Sequence, residues 1–451
     1  MSQKQRIFLW SITAALGGFL FGFDTAVISG VEQSLQTLWK LNLWELGLTV
    51  SIALIGTVIG SMTGGIPAEK LGRKRTLFWI AILYLLASLG TALAPNWPIF
   101  LLFRFLGGLG VGASSVAAPM YITEISPAKS RGKLVGLFQF NVVLGILIAY
   151  LSNYLLSDMG NEPWRWMLGI QALPSLIFLL AVLNIPESPR WLLLQQGKRS
   201  HSGVPGDPVS EARKVLNMID PETAEQTLTA IQQSNTHTAA SSRLFSGEYK
   251  TPIMLAVLFA VFNQVSGINA IIYYAPRIFE MTGLGKSSSL LSSAGIGLIN
   301  LIFTLISMNL IDRYGRRTLM KIGSVGLIVT LALVARAFYV EDFSGMTVPL
   351  LLFAYIAFFG FSQGAVIWVF ISEIFPNEVR ASGQALGSFT HWLMAAIITF
   401  TFPYLSKQLG GGNTFLFFAV MMVLQLLFVI RLMPETKGTS LEQMERTVFA
   451  H

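Results

Sequence analysis

The sequence contains no cysteine, so disulfide frameworks and thiolate metal sites are excluded. It also lacks any Asn-x-Ser/Thr sequon. Charge is scarce: Asp, Glu, Lys and Arg make up 12% of the 451 residues, against about 25% in an ordinary soluble domain. Also missing are a phosphate-cradling glycine loop, a cluster of metal-ligating side chains and a nucleophile–base constellation. No enzyme activity, cofactor or metal is therefore expected. What is abundant is apolar: 53% of residues are hydrophobic and mean hydropathy is +0.61. Apolar runs of about 20 residues, the length that crosses a bilayer as a helix, recur along the chain. Twelve can be counted, near 7–30, 46–68, 76–95, 98–124, 131–156, 164–185, 252–282, 286–312, 318–340, 347–374, 381–407 and 413–433; they are numbered spans 1 to 12. The expected fold class is an all-α membrane protein in a lipid bilayer.

The net charge of +8 could suggest a nucleic-acid partner, but the bases follow another pattern. With the N-terminus placed in the cytoplasm and sides alternating, 24 of the 31 Lys and Arg fall on the cytoplasmic side. Six fall outside (Lys40, Arg165, Arg277, Lys286, Arg336, Lys407), and Arg104 is left within a span. This asymmetry is the positive-inside rule, and it puts both termini inside. No nucleic acid is expected. Span 1 is too long for the apolar core of a cleaved signal and has no small-residue cleavage site at its end, so it is expected to stay. The absence of cysteines and sequons fits a bacterial inner membrane.

Three motifs occur twice. "EKLGRKR" (69–75) returns as "DRYGRR" (312–317), "YITEISPAKSRG" (121–132) as "FISEIFPNEVRASG" (370–383), and "PESPR" (186–190) as "PETKG" (434–438). The offsets lie between 243 and 249 residues, and each pair follows the second, fourth or sixth span of its half. A six-helix unit has been duplicated in parallel orientation, a standard plan for transporters with a midplane site. The expected organisation is an N-terminal six-helix bundle (1–190), a polar cytoplasmic linker (191–250) and a C-terminal bundle with a short tail (251–451). In the linker, "HSGVPGDP" (201–208) is turn-like. "VSEARKVLNMI" and "ETAEQTLTAIQQ" read as short amphipathic helices, with a plain tether as the alternative.

Polar residues inside the spans carry the functional signal. Asp24 and Arg104 each lie about six residues, or ~9 Å at 1.5 Å per residue, from the outer end of spans 1 and 4. A charge at the bilayer centre costs at least about 2.5–3.5 kcal/mol, so a pair at matched depth is expected. It is either a static tie between helices or a carboxylate that exchanges its arginine for a proton. Gln139, Asn263, Gln264, Asn269 and Asn300 bring amides toward the midplane. An amide both donates and accepts, as a sugar hydroxyl does; the alternative is hydrogen bonding between helices. His391 sits near mid-depth of span 11, and its neutral imidazole can also donate and accept. A sugar contact, packing and proton participation all stay open for it.

Taken together, the doubled "GRKR/GRR" loops, "PESPRW", "PETKG", "RFLGGLGVG" and "NQVSGINAIIYYAP" (263–276) resemble the sugar porter family of the major facilitator superfamily. That family includes bacterial xylose–proton and glucose–proton symporters and human facilitative glucose transporters. The resemblance covers nearly the whole chain. It implies the major facilitator fold: two six-helix bundles, a hexose or pentose bound between them, and alternating access by rocking. It also implies proton coupling through Asp24 with Arg104, where the human uniporters carry asparagine in place of the acid. Gln139, Asn263, Gln264, Asn269 and Asn300 match family sugar ligands. Phe21, Trp368 and Trp392 match pocket aromatics, and Tyr273 and Tyr274 match residues that close over the sugar from outside. The chain departs from the family at Asn263, usually Gln, and at His391, usually Asn or Gln. It departs also at Gln171, where the xylose–proton symporter has a third acid, and at Gly360, where human carriers have Glu. "SQGAVIW" in span 10 lacks the usual prolines but keeps Gly364. A cytoplasmic charge network is expected from Glu69, Arg73, Glu124, Arg131, Glu187, Arg190, Asp312, Arg316, Glu373, Arg380 and Glu435. Its pairs are expected to form only when the halves close on the inside. The expected function is proton-coupled import of a monosaccharide by a monomer. A passive uniporter, a non-transporting sugar sensor and a drug–proton antiporter are the alternatives. The sensor is disfavoured because only about 18 residues follow span 12.

Overall fold

A computed structural model describes residues 2–127, 130–195, 207–236, 244–245, 247–343, 345–376 and 379–437. Most of the turn-like stretch 201–208, Gly438 of "PETKG" and the tail after it lie outside the described residues. Among the described residues every regular element is helical. Eleven helices are long and apolar enough to cross a membrane. The last, Arg380–Arg431, runs for 52 residues. At 1.5 Å per residue it would reach ~78 Å, more than twice the roughly 30 Å hydrocarbon core. It is broken at Gly410, whose φ of 76° and ψ of 162° leave the helical region. It therefore supplies spans 11 and 12, which makes twelve spans among the described residues.

The chain forms two compact units. The first comprises Met1–Asp24, Gly56–Gly145 and Leu168–Ala240. In it, spans 2 and 4 approach closely through small residues, as membrane helices do: Thr57 donates from Oγ1 to the Gly108 carbonyl (3.3 Å). Asn96 caps span 4, accepting from the Ile99 N–H at 3.1 Å. The linker helices are Pro208–Ile219 and Ala224–Thr236. Asp207 caps the first of them. Ala212, Leu216, Ala224, Leu228 and Ile231 bury themselves against Trp191, Leu192 and Leu193. An amphipathic helix this short is stable only by such packing, and the described linker helices form a layer on residues 191–193.

The second unit comprises Thr25–Ile55, Ile146–Met167 and Ser241–His451. Its core joins Phe259, Met320, Phe370, Ile371, Phe428 and Val429. Span 7 consists of Lys250–Val265 and Ile268–Met281, joined through Gly267 at φ 87°. The outer segment is interrupted again at Tyr274 (φ −123°, ψ 20°), two residues before Pro276. Span 10 divides at Ser362 (φ −108°, ψ −91°) into Thr347–Phe361 and Gln363–Ile374. The break comes two residues before Gly364 and needs no proline.

Candidate functional site

In the first unit, Arg104 donates from Nη1 to Asp24 Oδ1 at 2.8 Å and from Nη2 to the Asp24 carbonyl at 3.4 Å. Asp24 is 5% exposed and Arg104 2%. The Asp24 carboxylate also accepts a hydrogen bond from the Gln171 side chain. Gly107 lies beside the carboxylate: an added Cβ there would stand 3.6 Å from Oδ1, an ordinary contact, and 3.1 Å from Ala87 Cβ. Counting residues from the membrane boundary thus located a real pair. Arg104 Nε has no acceptor among the described residues, and among them Asp24 is the one carboxylate in an ion pair with Arg104.

The second unit gathers the amides around one residue. Gln264, 1% exposed, donates from Nε2 to Asn263 Oδ1 (2.9 Å) and accepts at Oε1 from Asn269 Nδ2 (2.7 Å). Its Nε2 also lies 3.2 and 3.3 Å from the two ring nitrogens of His391, so the accepting nitrogen is set by the tautomer. Asn263 Nδ2 donates to the carbonyl of Gln363 (3.4 Å), the first residue of the inner segment of span 10. His391 lies between two tryptophans, with ring centroids 4.9 Å from Trp368 and 4.7 Å from Trp392. Trp368 is 37% exposed. Asn300 is buried, and Gly360 faces it: an added Cβ at 360 would stand 3.8 Å from Asn300 Oδ1. A glutamate at 360 would crowd that amide. Gln139 is exposed and Phe21 half-buried, both in the first unit.

Tyr273 and Tyr274 are both buried. The Tyr274 hydroxyl donates to the Thr399 carbonyl at 3.0 Å, and its ring lies 5.1 Å from that of Phe402.

The cytoplasmic charges form two matching sets, one for each copy of the repeat. In the first unit Arg73 donates from Nε and Nη2 to the two carboxylate oxygens of Glu124, both at 2.9 Å. Ser188 Oγ donates to the same carboxylate. In the second unit Arg316 does the same to Glu373, at 3.1 and 2.7 Å, where Thr436 takes the serine's part. Glu187 accepts from the backbone N–H groups of Arg73 and Lys74, and Glu435 from those of Arg316 and Arg317. Each acid thereby caps a helix whose first N–H groups have no internal partner. Gly72 (φ 98°) and Gly315 (φ 86°) make the turns required, and an added Cβ would stand 2.9 Å from Glu187 Cδ or 2.8 Å from Glu435 Cδ. Burial pushes the Glu187 carboxyl above its usual range, opposed by the N–H groups of Ser188, Lys74 and Arg73.

The expectation that these pairs form only when the halves close is corrected here. The glycine turn folds each arginine back onto the acid of its own unit, so Arg73–Glu124, Arg316–Glu373 and Arg316–Asp312 are formed without the other half. Arg380 donates to the Phe375 carbonyl (3.2 Å), while Arg131 Nε has no acceptor among the described residues. Glu69 and Arg190 are exposed. Glu187→Ala and Glu435→Ala are each expected to cost about 1–2 kcal/mol of stability through the lost caps, read as a lower thermal midpoint in detergent. The corresponding Gln variants keep an acceptor and should lose less.

One constellation escaped the sequence reading. Glu32, which falls between spans 1 and 2 and was not singled out, is wholly buried and pairs with Arg277. Burial pushes its carboxyl up, and the guanidinium pulls it down. A signal existed: Arg277 is one of the six bases that break the charge rule, and it stands beside Pro276.

Twelve helices, an intramembrane ion pair and a convergent amide cluster define a multi-pass membrane carrier. The profile of the "Sugar (and other) transporter" family matches residues 10–448, and the chain belongs to that family. It is 37% identical over 449 residues to an arabinose–proton symporter of Bacillus subtilis (98% of this chain, 94% of the relative). It is 34% identical over 485 residues to the D-xylose–proton symporter of Escherichia coli (98% and 96%). The inward open structure of the E. coli xylose transporter XylE superposes with a TM-score of 0.86 at 34% identity (98% of this chain, 99% of that one).

Proposed function

We propose that this protein imports a monosaccharide, a pentose or hexose, by proton symport with alternating access, working as a monomer. The observation that carries the reading is the buried Asp24–Arg104 pair. A carboxylate held by one guanidinium, with a neutral amide as its other side-chain partner, has two stable conditions: ionised and paired, or protonated and released. The Gln264 cluster supplies the other half. Amides and an imidazole match hydroxyls by donating and accepting without a charge, and the partly exposed Trp368 ring offers apolar surface suited to the C–H face of a sugar ring. The similarity to symporters named for arabinose and xylose supports a small sugar as cargo.

Uniport is favoured by one observation: Gln171, which bonds to Asp24, is not an acid. Uptake into proteoliposomes with the inside alkaline separates the readings. A symporter should accumulate sugar above the external concentration and lose that accumulation when a protonophore is added. Uptake that only equilibrates, with or without the gradient, identifies a uniporter. Competition of labelled xylose by arabinose, glucose, galactose, fructose and inositol assigns the sugar.

A further inference from the structure

At its outer end span 1 passes through a short turn, Ile28–Gly30, into an eight-residue helix, Glu32–Trp39. Glu32 opens this helix and is 0% exposed. Its two carboxylate oxygens accept from one guanidinium: Arg277 Nε at 2.8 Å and Nη2 at 2.6 Å. Nη2 also donates to Gln36 Oε1 at 2.7 Å. All three residues lie in the second compact unit, yet they come from different copies of the repeat. Glu32 and Gln36 follow the first helix of copy one, and Arg277 lies near the outer end of the first helix of copy two.

We propose that the Glu32–Gln36–Arg277 clamp is the lock that holds the outer side of the carrier closed, and that its release is a required step in opening to the outside. The inference rests on the alternating-access reading above and adds the residues that gate it.

Three features favour a lock over a fixed brace. A buried ion pair is a poor source of net stability, because desolvation offsets most of the attraction. Its strength depends on geometry, so it holds fully or hardly at all, as a two-state element must. Next, the segment bearing Arg277 is set off by two backbone breaks, at Gly267 and at Tyr274, so it can swing without unwinding the rest of span 7. Finally, Glu280 lies three residues further along the same helix and its charge already acts on both Arg277 and Glu32. On that helix face it is positioned to receive the guanidinium once Glu32 lets go. A released Arg277 therefore needs no bare exposure to lipid. The neighbouring ties between the repeats are weaker in kind: Tyr150, for example, makes one neutral hydrogen bond to the Ile272 carbonyl (2.6 Å).

The chain's lack of cysteine permits a direct test on the full-length protein in proteoliposomes. Val27, at the outer end of span 1, is 0% exposed. In a Val27→Cys background, alkylation by a membrane-impermeant maleimide reports outer opening, with no sugar and no proton gradient present. Labelling should be slow in that background and roughly tenfold or more faster with Glu32→Gln or Arg277→Gln. The double variant should label no faster than the faster single, because one clamp is lost either way. Arg277→Lys keeps the charge but loses the fork, and should fall between; it serves if a neutralised variant does not fold. Unchanged labelling in the folded variants, or rates that multiply in the double, overturns the proposal. Because the readout needs neither substrate nor gradient, a wrong assignment of sugar or coupling leaves this test intact.

Discussion

Proteoliposomes containing Asp24→Asn are expected to lose uphill sugar uptake while still exchanging labelled for unlabelled sugar across the membrane. With one proton per sugar, a pH difference of about one unit can sustain about tenfold accumulation, since both correspond to about 1.4 kcal/mol. The variant should reach a ratio of one. Asparagine keeps an oxygen for the 2.8 Å bond from Arg104 Nη1 but carries no proton on and off. The loaded carrier can therefore still move in both directions. Coupling is lost because the empty carrier no longer depends on the protonation of that site. The substitution also removes the charge that faces a buried Arg104, and breaking a buried pair from one side costs about 3–5 kcal/mol. The thermal midpoint of the purified protein should consequently fall, and sugar binding separates a folded, uncoupled carrier from a misfolded one. If Asp24→Asn still accumulates sugar tenfold, Asp24 is not the proton carrier. If the unmodified protein never accumulates sugar, the chain is a uniporter and the pair is a static tie between spans 1 and 4.

Depth along a helix was legible in the sequence; direction around it was not. Asp24 and Arg104 could be paired because residue counts convert to ångströms from a membrane boundary. The repeat offsets located Gly72 with Gly315 and Glu187 with Glu435, and the structure gives both members of each pair the same task. Offsets could not say which acid each arginine would meet. That depended on turns at positive φ, which send Arg73 to Glu124 within its own unit. Nor could counting reveal the convergence on Gln264. Asn263 adjoins it on the same helix, Asn269 reaches back to it from beyond the break at Gly267, and His391 comes from span 11. Glu32 was hidden for a related reason: polar loop composition signals exposure on average, and a single buried acid in a loop leaves that average unchanged.

Gln264→Ala should have the second large effect, on affinity rather than on coupling. Its amide holds Asn263, Asn269 and His391 at once, so truncation both removes an amide proposed to meet the sugar and leaves its partners free to turn. Each buried hydrogen-bonding group left unsatisfied costs about 1–3 kcal/mol. The dissociation constant for the transported sugar should therefore rise about tenfold to a thousandfold, measured by equilibrium binding of radiolabelled sugar. At saturating sugar the accumulation ratio should be unaltered, because Asp24 and Arg104 are untouched and lie in the other compact unit. His391→Gln provides the contrast. It preserves one donor and one acceptor beside Trp368, so overall affinity should change less than about tenfold while the ranking among sugars shifts. That ranking reports stereochemistry, since a planar imidazole offers its two nitrogens in one fixed direction each and an amide offers a fork. A Gln264→Ala protein that binds every sugar as tightly as before would show that the cluster ties helices together and that the sugar is held elsewhere.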